Sequence, residues 1–261
     1  MRKNLTALAT TLALALAIPA LAAQEEFHWT GKVAPGGAVE IKGVNGGITA
    51  TGAAGGPVEV TAIKKGRKSD PASVKVEVVE HAGGVTICAV YPAVDGKANT
   101  CAPGQGGRMS VRDNDVNVEF QVKVPAGVRF VGRTVNGGIS ASGLTADAEA
   151  TTVNGGVEIE AGGTARATTV NGGISARLGR ADWDGLLKLT TVNGGIDVAV
   201  PSGLNTELKA STVNGDIQTD FPVTMTGRIS KRHVQGTIGS GGRQLEMETV
   251  NGSIELKKAS R

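Results

Sequence analysis

Along the second half of the chain, apolar and polar positions alternate in short runs that all lead into one recurring motif. Ala148 and Ala150 flank Glu149, Ala165 and Ala167 flank Arg166, and Leu187 and Leu189 flank Lys188. Leu208 and Ala210 flank Lys209, and Leu245 and Met247 flank Glu246. A period of two builds a strand with one buried and one wet face. After the motif the alternation resumes, with Val157 and Ile159, Ile174 and Ala176, Ile196 and Val198, and Ile254 and Leu256 facing in. Glu158, Ser175, Asp197 and Glu255 then face out. Carrying the same parity through the motif puts Thr152, Thr169, Thr191 and Thr212 on the buried side, so each unit reads as strand, corner, strand.

The motif is Thr-Val-Asn-Gly-Gly-Ile, present at 134–139, 169–174 and 191–196, with close variants at 152–157, 212–217 and 249–254. A degraded copy runs from His233 to Ile238. The steps between Asn136, Asn154, Asn171, Asn193, Asn214, Gln235 and Asn251 are 18, 17, 22, 21, 21 and 16 residues. Repeats of this length are single supersecondary units that bury their apolar faces by stacking. Asn-Gly is also a strong type I′ hairpin signal, so a stack of antiparallel hairpins is the competing architecture. The recurrence of the same Asn favours a parallel β-solenoid (β-helix), in which Asn136, Asn154, Asn171, Asn193, Asn214 and Asn251 form a ladder of side-chain amides. Seven such copies at about 4.8 Å per coil make a rod about 29 Å tall. A buried corner amide left without its partner would cost roughly 1 to 3 kcal/mol.

Residues 24–130 are β-rich but less regular. Val39-Glu40-Ile41 leads into an early copy, Val44-Asn45-Gly46-Gly47-Ile48, and alternating runs follow at 58–63, 74–79, 85–90 and 116–124. Clusters of Gly, Pro, Asn and Asp separate them. This part reads as irregular coils that cap the solenoid, because an open end would expose unpaired edges. A separate small β domain ending near Pro125 is the alternative. The organisation expected is a leader over 1–23, this β-rich part over 24–130, the repeat solenoid over 131–256 and a basic tail over 257–261.

Arg2 and Lys3 precede an apolar run from Leu5 to Ile18, and Ala20-Leu21-Ala22 offers a small-x-small cleavage site. This is the pattern of a secretory signal peptide, and the run is short of the roughly 20 apolar residues a membrane span needs. The mature chain is expected in the periplasm, at the cell surface or released, with no transmembrane segment. Net charge is +3, of which the leader holds two, and the basic residues Lys257, Lys258 and Arg261 sit together at one end. No clustered basic face points to nucleic acid. In an exported chain Cys88 and Cys101 should pair, closing a loop of about 14 residues and contributing roughly 3 kcal/mol.

The run Val124-Pro125-Ala126-Gly127-Val128 leading to Thr134-Val135-Asn136-Gly137-Gly138-Ile139, together with the later copies, resembles a bacterial β-strand-repeat family labelled as adhesins, itself of unknown function. The resemblance implies a β-helical fold and an envelope location. It carries no active-site residues over to this chain.

Polysaccharide-active enzymes also use β-helices, and they need converging carboxylates and aromatic platforms. The outward column Ser140, Glu158, Ser175, Asp197, Gln218 and Glu255 puts no two carboxylates on successive repeats, and aromatic residues make up 3% of the chain. No catalytic or metal-binding residues and no cofactor are therefore assigned. Asp113-Asn114-Asp115-Val116-Asn117 begins like a calcium loop but has Val118 and Val124 where that loop needs Gly and Glu. His28, His81 and His233 lack ligand spacing. Two basic clusters, Lys64-Lys65-Gly66-Arg67-Lys68 read as a loop and the stretch from Arg228 to His233, are candidate contacts for anionic envelope polymers, a lipid surface or another surface protein. Trp183, in the longest step, is the best aromatic candidate for a contact, although folding back over the coil edge is the favoured reading of it. The expected function is a non-enzymatic, adhesin-like envelope or surface protein whose rigid solenoid presents loops to a partner. A polysaccharide-active enzyme and a purely structural scaffold are the alternatives.

Overall fold

The computed structural model describes residues 23–225 and 230–259. The leader, apart from Ala23, and the cleavage site expected within it lie outside the described residues, as do Arg228 and Arg261. The described residues form two β-sheets, of ten and eleven strands, packed face to face. It is an all-β, parallel β-solenoid.

One coil shows how the sequence builds it. The strand Ala148–Thr151 lies in the larger sheet, the corner follows, and Val157–Ala161 continues in the smaller sheet. Each strand pairs in parallel with its equivalents in the coils on either side, so Val157 stands between Ile139 and Ile174, with one register shift against the preceding coil between Ile159 and Ala161. Ala148, Ala150, Val157 and Ile159 are buried between the sheets. In this coil a small side chain in one sheet is thus matched by a larger one in the other, as close packing between two sheets requires.

Thr152, Thr169 and Thr191 are 2%, 1% and 1% exposed, and each hydroxyl bonds the neighbouring coil. Thr152 Oγ1 donates to the Gly137 carbonyl at 2.8 Å, Thr169 to Gly155 at 2.9 Å and Thr191 to Gly172 at 2.8 Å. A buried hydroxyl needs such a partner, so the same carbonyl must be presented at each coil. The asparagines do form a ladder, with Asn154 Nδ2 donating to Asn136 Oδ1 at 2.8 Å and Asn171 to Asn154 at 2.7 Å. These amides are exposed rather than buried. Water can replace a lost partner there, so each rung stabilises less than a buried amide would.

The coils are not stacked in chain order. The ladder runs Asn45, Asn136, Asn154, Asn171, Asn193, Asn251, Asn214. The strands Gln244–Glu248 and Ile254–Lys258 slide between the coils of Asn193 and Asn214. The expected rung at Gln235 is absent: His233–Ile238 runs antiparallel to Thr206–Ser211 and covers the last coil. A seventh rung comes instead from Asn45, in the part read as irregular.

Antiparallel strands extend both sheets at one end of the stack and the larger sheet at the other. At the first, Ala23–Gly31, Val58–Gly66 and Asn117–Pro125 extend the smaller sheet, while Gly84–Val90 and Lys75–His81 extend the larger one. Strand pairing is continuous from this region into the repeats, as between Ala38–Lys42 and Arg129–Arg133. The basic tail expected from residue 257 begins inside a strand, because Lys257 is tied to Asp197 and Glu255.

Candidate functional site

Where the motif keeps its second glycine, that residue turns outward at the start of a strand in the smaller sheet and leaves room beside the next outward side chain. Repeated along the stack, this makes an open groove of roughly 630 Å³ across successive coils. Its floor is Gly138, Gly156, Gly173 and Gly195, and its wall carries Ser140, Glu158, Ser175, Asp197 and Glu255. The motif valines form an exposed apolar rail at the same corner, with Val135, Val153 and Val170 each 37% exposed.

The out-of-order coil changes the electrostatics of this wall. Asp197 and Glu255, far apart in sequence, are direct neighbours across a parallel pair. The expectation that no adjacent coils carry carboxylates here is therefore wrong for this pair. Lys257 contacts both carboxylates and lies 2.6 Å from Glu255, and its own pKa is raised by the hydrogen bonds to Asp197 and then Glu255. One lysine thus bridges the two carboxylates and ties them into a single ion-paired cluster on the wall of the groove.

On the outer face of the larger sheet the inserted strand separates two lysines. Lys188 lies 2.8 Å from Glu246 and 3.0 Å from Glu248, and Lys209 lies 3.3 and 3.2 Å from the same carboxylates. The Lys188 hydrogen bond holds the Glu246 carboxyl down to about 2, with burial opposing it and Glu248 and Lys209 assisting. A folded-state value below the ordinary 4.5 means that this stabilisation is complete above pH 4.5 and is lost as pH falls toward about 2. The melting temperature is expected to drop across that window, and Glu246→Gln to flatten the drop. Identical acid profiles for parent and variant would refute the assignment.

The candidate contact residues fare unevenly. Lys64 and Lys65 belong to the strand Val58–Gly66, not to a loop. Lys64 is 4% exposed, donates to the Val74 carbonyl at 2.9 Å and meets Glu25 at 2.9 Å, so it presents no free charge. Lys65, Arg67 and Lys68 are exposed. Trp183 is 5% exposed; its Nε1 donates to the Gln244 carbonyl at 3.1 Å, and Arg243 lies 6.0 Å from its ring centroid. It closes the interior beside the inserted strand and offers no aromatic contact surface. Asp115, in the calcium-like stretch, accepts instead from the backbone amides of Lys68 and Ser69. Among the described residues no group of three or more His, Cys, Asp or Glu could hold a metal ion, and no helix is long and apolar enough to cross a membrane.

Cys88 and Cys101 are joined, and beneath the loop they anchor lies a buried polar cluster that the sequence pattern does not reveal. Glu40 is 6% exposed and Lys42 7%. Lys42 Nζ donates to the carbonyls of Ala102, Gly104 and Gly106 at 2.5, 2.6 and 3.1 Å. Glu40 accepts from Thr86 Oγ1 at 2.9 Å, Gly104 N at 2.9 Å and Arg133 Nε at 3.1 Å. Burial pushes the Lys42 ammonium down, with Glu40 opposing and Arg133 adding to the shift.

Residues 129–257 match the Toastrack DUF4097 family. No curated protein matches the chain. Two solved structures resemble it. A protein from Clostridium sporogenes ATCC 15579, provisionally named a cell adhesion protein, is 10% identical with a TM-score of 0.45, over 91% of this chain and 100% of that one. A provisionally named adhesin from Bacteroides fragilis NCTC 9343 is 12% identical with a TM-score of 0.36, over 90% and 97%.

Proposed function

We propose that this protein, which carries a Toastrack DUF4097 domain over residues 129–257, is a non-enzymatic, adhesin-like protein of the cell envelope or surface, exported by its leader, whose rigid solenoid holds a partner against its outer face. The observation that carries this reading is the contrast between the two sides of one repeat. Inside, Thr152, Thr169 and Thr191 make the same bond at each coil. Outside, at equivalent places along one groove, stand Ser140, Glu158, Ser175, Asp197 and Glu255. A scaffold fixed within and varied without suits recognition, since binding needs differing groups held at set spacings. The exposed valine rail adds apolar contact beside the groove, and Lys65, Arg67 and Lys68 add a separate basic patch.

The test is to incubate purified protein with peptidoglycan, lipopolysaccharide, anionic vesicles and whole cells, measuring co-sedimentation and release of reducing sugar together. Retention without sugar release is expected. Gly156→Tyr with Gly173→Tyr should fill the groove and cut retention at least tenfold while the melting temperature holds. Charge reversal at Lys65, Arg67 and Lys68 tests the basic patch in the same assay. Sugar release, or retention on none of the four, would overturn the reading.

A further inference from the structure

A second cavity of about 630 Å³ lies at the end of the solenoid where the antiparallel strands close the stack, and it shares no lining residue with the groove. Three segments meet there. The connection from Lys32 to Gly37 joins the strands Ala23–Gly31 and Ala38–Lys42. The turn at Ala82 and Gly83 links Lys75–His81 to Gly84–Val90, and Arg129 opens its own strand.

The chemistry of this cavity differs from that of the groove. Trp29 lines it, with its indole seated over Gly31, where any Cβ would overlap the ring. Lys32 and Arg129 line it too; both are exposed, and among the described residues neither has a carboxylate within ion-pairing distance. Glu80 is the one carboxylate in the lining. His81 Nδ1 accepts from the Gly83 amide at 3.2 Å, and its Nε2 lies 3.1 Å from Thr86 Oγ1. Thr86 in turn donates to the buried Glu40. The turn is thereby fixed from beneath, and the cavity wall is held in place before any ligand arrives.

We propose that this cavity binds the carboxylate-bearing sugar of an acidic glycan. The apolar face of a pyranose covers the Trp29 indole, as sugars do on aromatic platforms. Its carboxylate lies between Lys32 and Arg129, where a charge-assisted pair gives both strength and orientation. Ring hydroxyls donate to Glu80. A lone inorganic anion would leave most of the volume and the indole unused, and a neutral sugar would leave two cations without a partner. This inference rests on the surface-binding reading above and adds the class of ligand to it.

The test is titration of the whole protein with glucuronate, glucose and inorganic phosphate, followed by calorimetry and by the indole NMR signal of Trp29. Saturable glucuronate binding is expected, with glucose and phosphate at least tenfold weaker. Arg129→Gln and Lys32→Gln should each weaken glucuronate binding about tenfold with an unchanged melting temperature, and Trp29→Leu should weaken it further. Equal binding of phosphate would mean a plain anion site, and equal binding of glucose would remove the role of charge. Either result overturns the proposal, as does unchanged affinity in Arg129→Gln and Lys32→Gln. Glucuronate binding without retention on any cell or polymer would uphold the pocket and remove the surface reading. Retention on polymers without glucuronate binding would remove the pocket alone.

Discussion

Replacing Gly172 by alanine is expected to destabilise the protein by on the order of 3 kcal/mol, whereas the same change at Gly173 should stay within about 0.5 kcal/mol. The two residues are adjacent and chemically identical. A Cβ at Gly172 would overlap the carbonyl oxygen and carbon of Gly155 in the neighbouring coil, which are backbone atoms and cannot move without breaking the ladder. A Cβ at Gly173 would meet the Gly195 carbonyl at 3.5 Å, an ordinary contact. The chain already contains the experiment in part, since Ser253 and Asp216 stand where the second glycine is expected, while the first glycine is kept as Gly252 and Gly215. Urea denaturation of both variants measures the difference. Equal losses would mean that coil spacing is not set by the close approach at the first glycine.

The second large effect is expected at Glu40. Glu40→Ala removes the acceptor shared by Thr86, Gly104 and Arg133 and leaves Lys42 buried beside Arg133 without a countercharge. Breaking a buried, hydrogen-bonded ionic cluster costs about 3 to 5 kcal/mol. The loss should be accompanied by proteolysis within residues 102–107, because Gly104 loses its acceptor while Cys101 still tethers the segment. A loss below about 1 kcal/mol would show the cluster to be well solvated.

Much of this fold is legible from alternation alone, because the interior is made by local parity repeated coil after coil. The inward threonines, the outward column and the motif corner all follow from it. What fails to show is set by contacts between distant segments. Glu40 and Lys42 sit at outward positions of their strand and read as wet; only the disulfide loop lying across them makes them buried. Lys64 gives a better signal, since Val58, Val60, Ala62 and Lys64 share one parity, and that parity outweighs the charge of the surrounding cluster. The order of the coils is also encoded, though faintly. Stacking in chain order would set Lys188 beside Lys209, and the strand carrying Glu246 and Glu248 relieves that repulsion by lying between them. For Trp183 the pattern gives no direction, because its loop belongs to neither strand of the repeat.

The inserted coil has a consequence in time. A solenoid with coils in chain order can add each new turn to the last as the polypeptide emerges, and its contacts stay short in sequence. Here that process can run only as far as Val200. The next coil, Thr206–Ser211 with Ile217–Thr219, has no neighbour on its inner side until residues 244–258 arrive, and one of the pairings that then forms joins Asn193 to Asn251 across 58 residues. Such late, long-range closure slows folding and leaves strand edges open while the chain waits. The slow step in refolding should therefore be the seating of this last segment, after the earlier coils have formed.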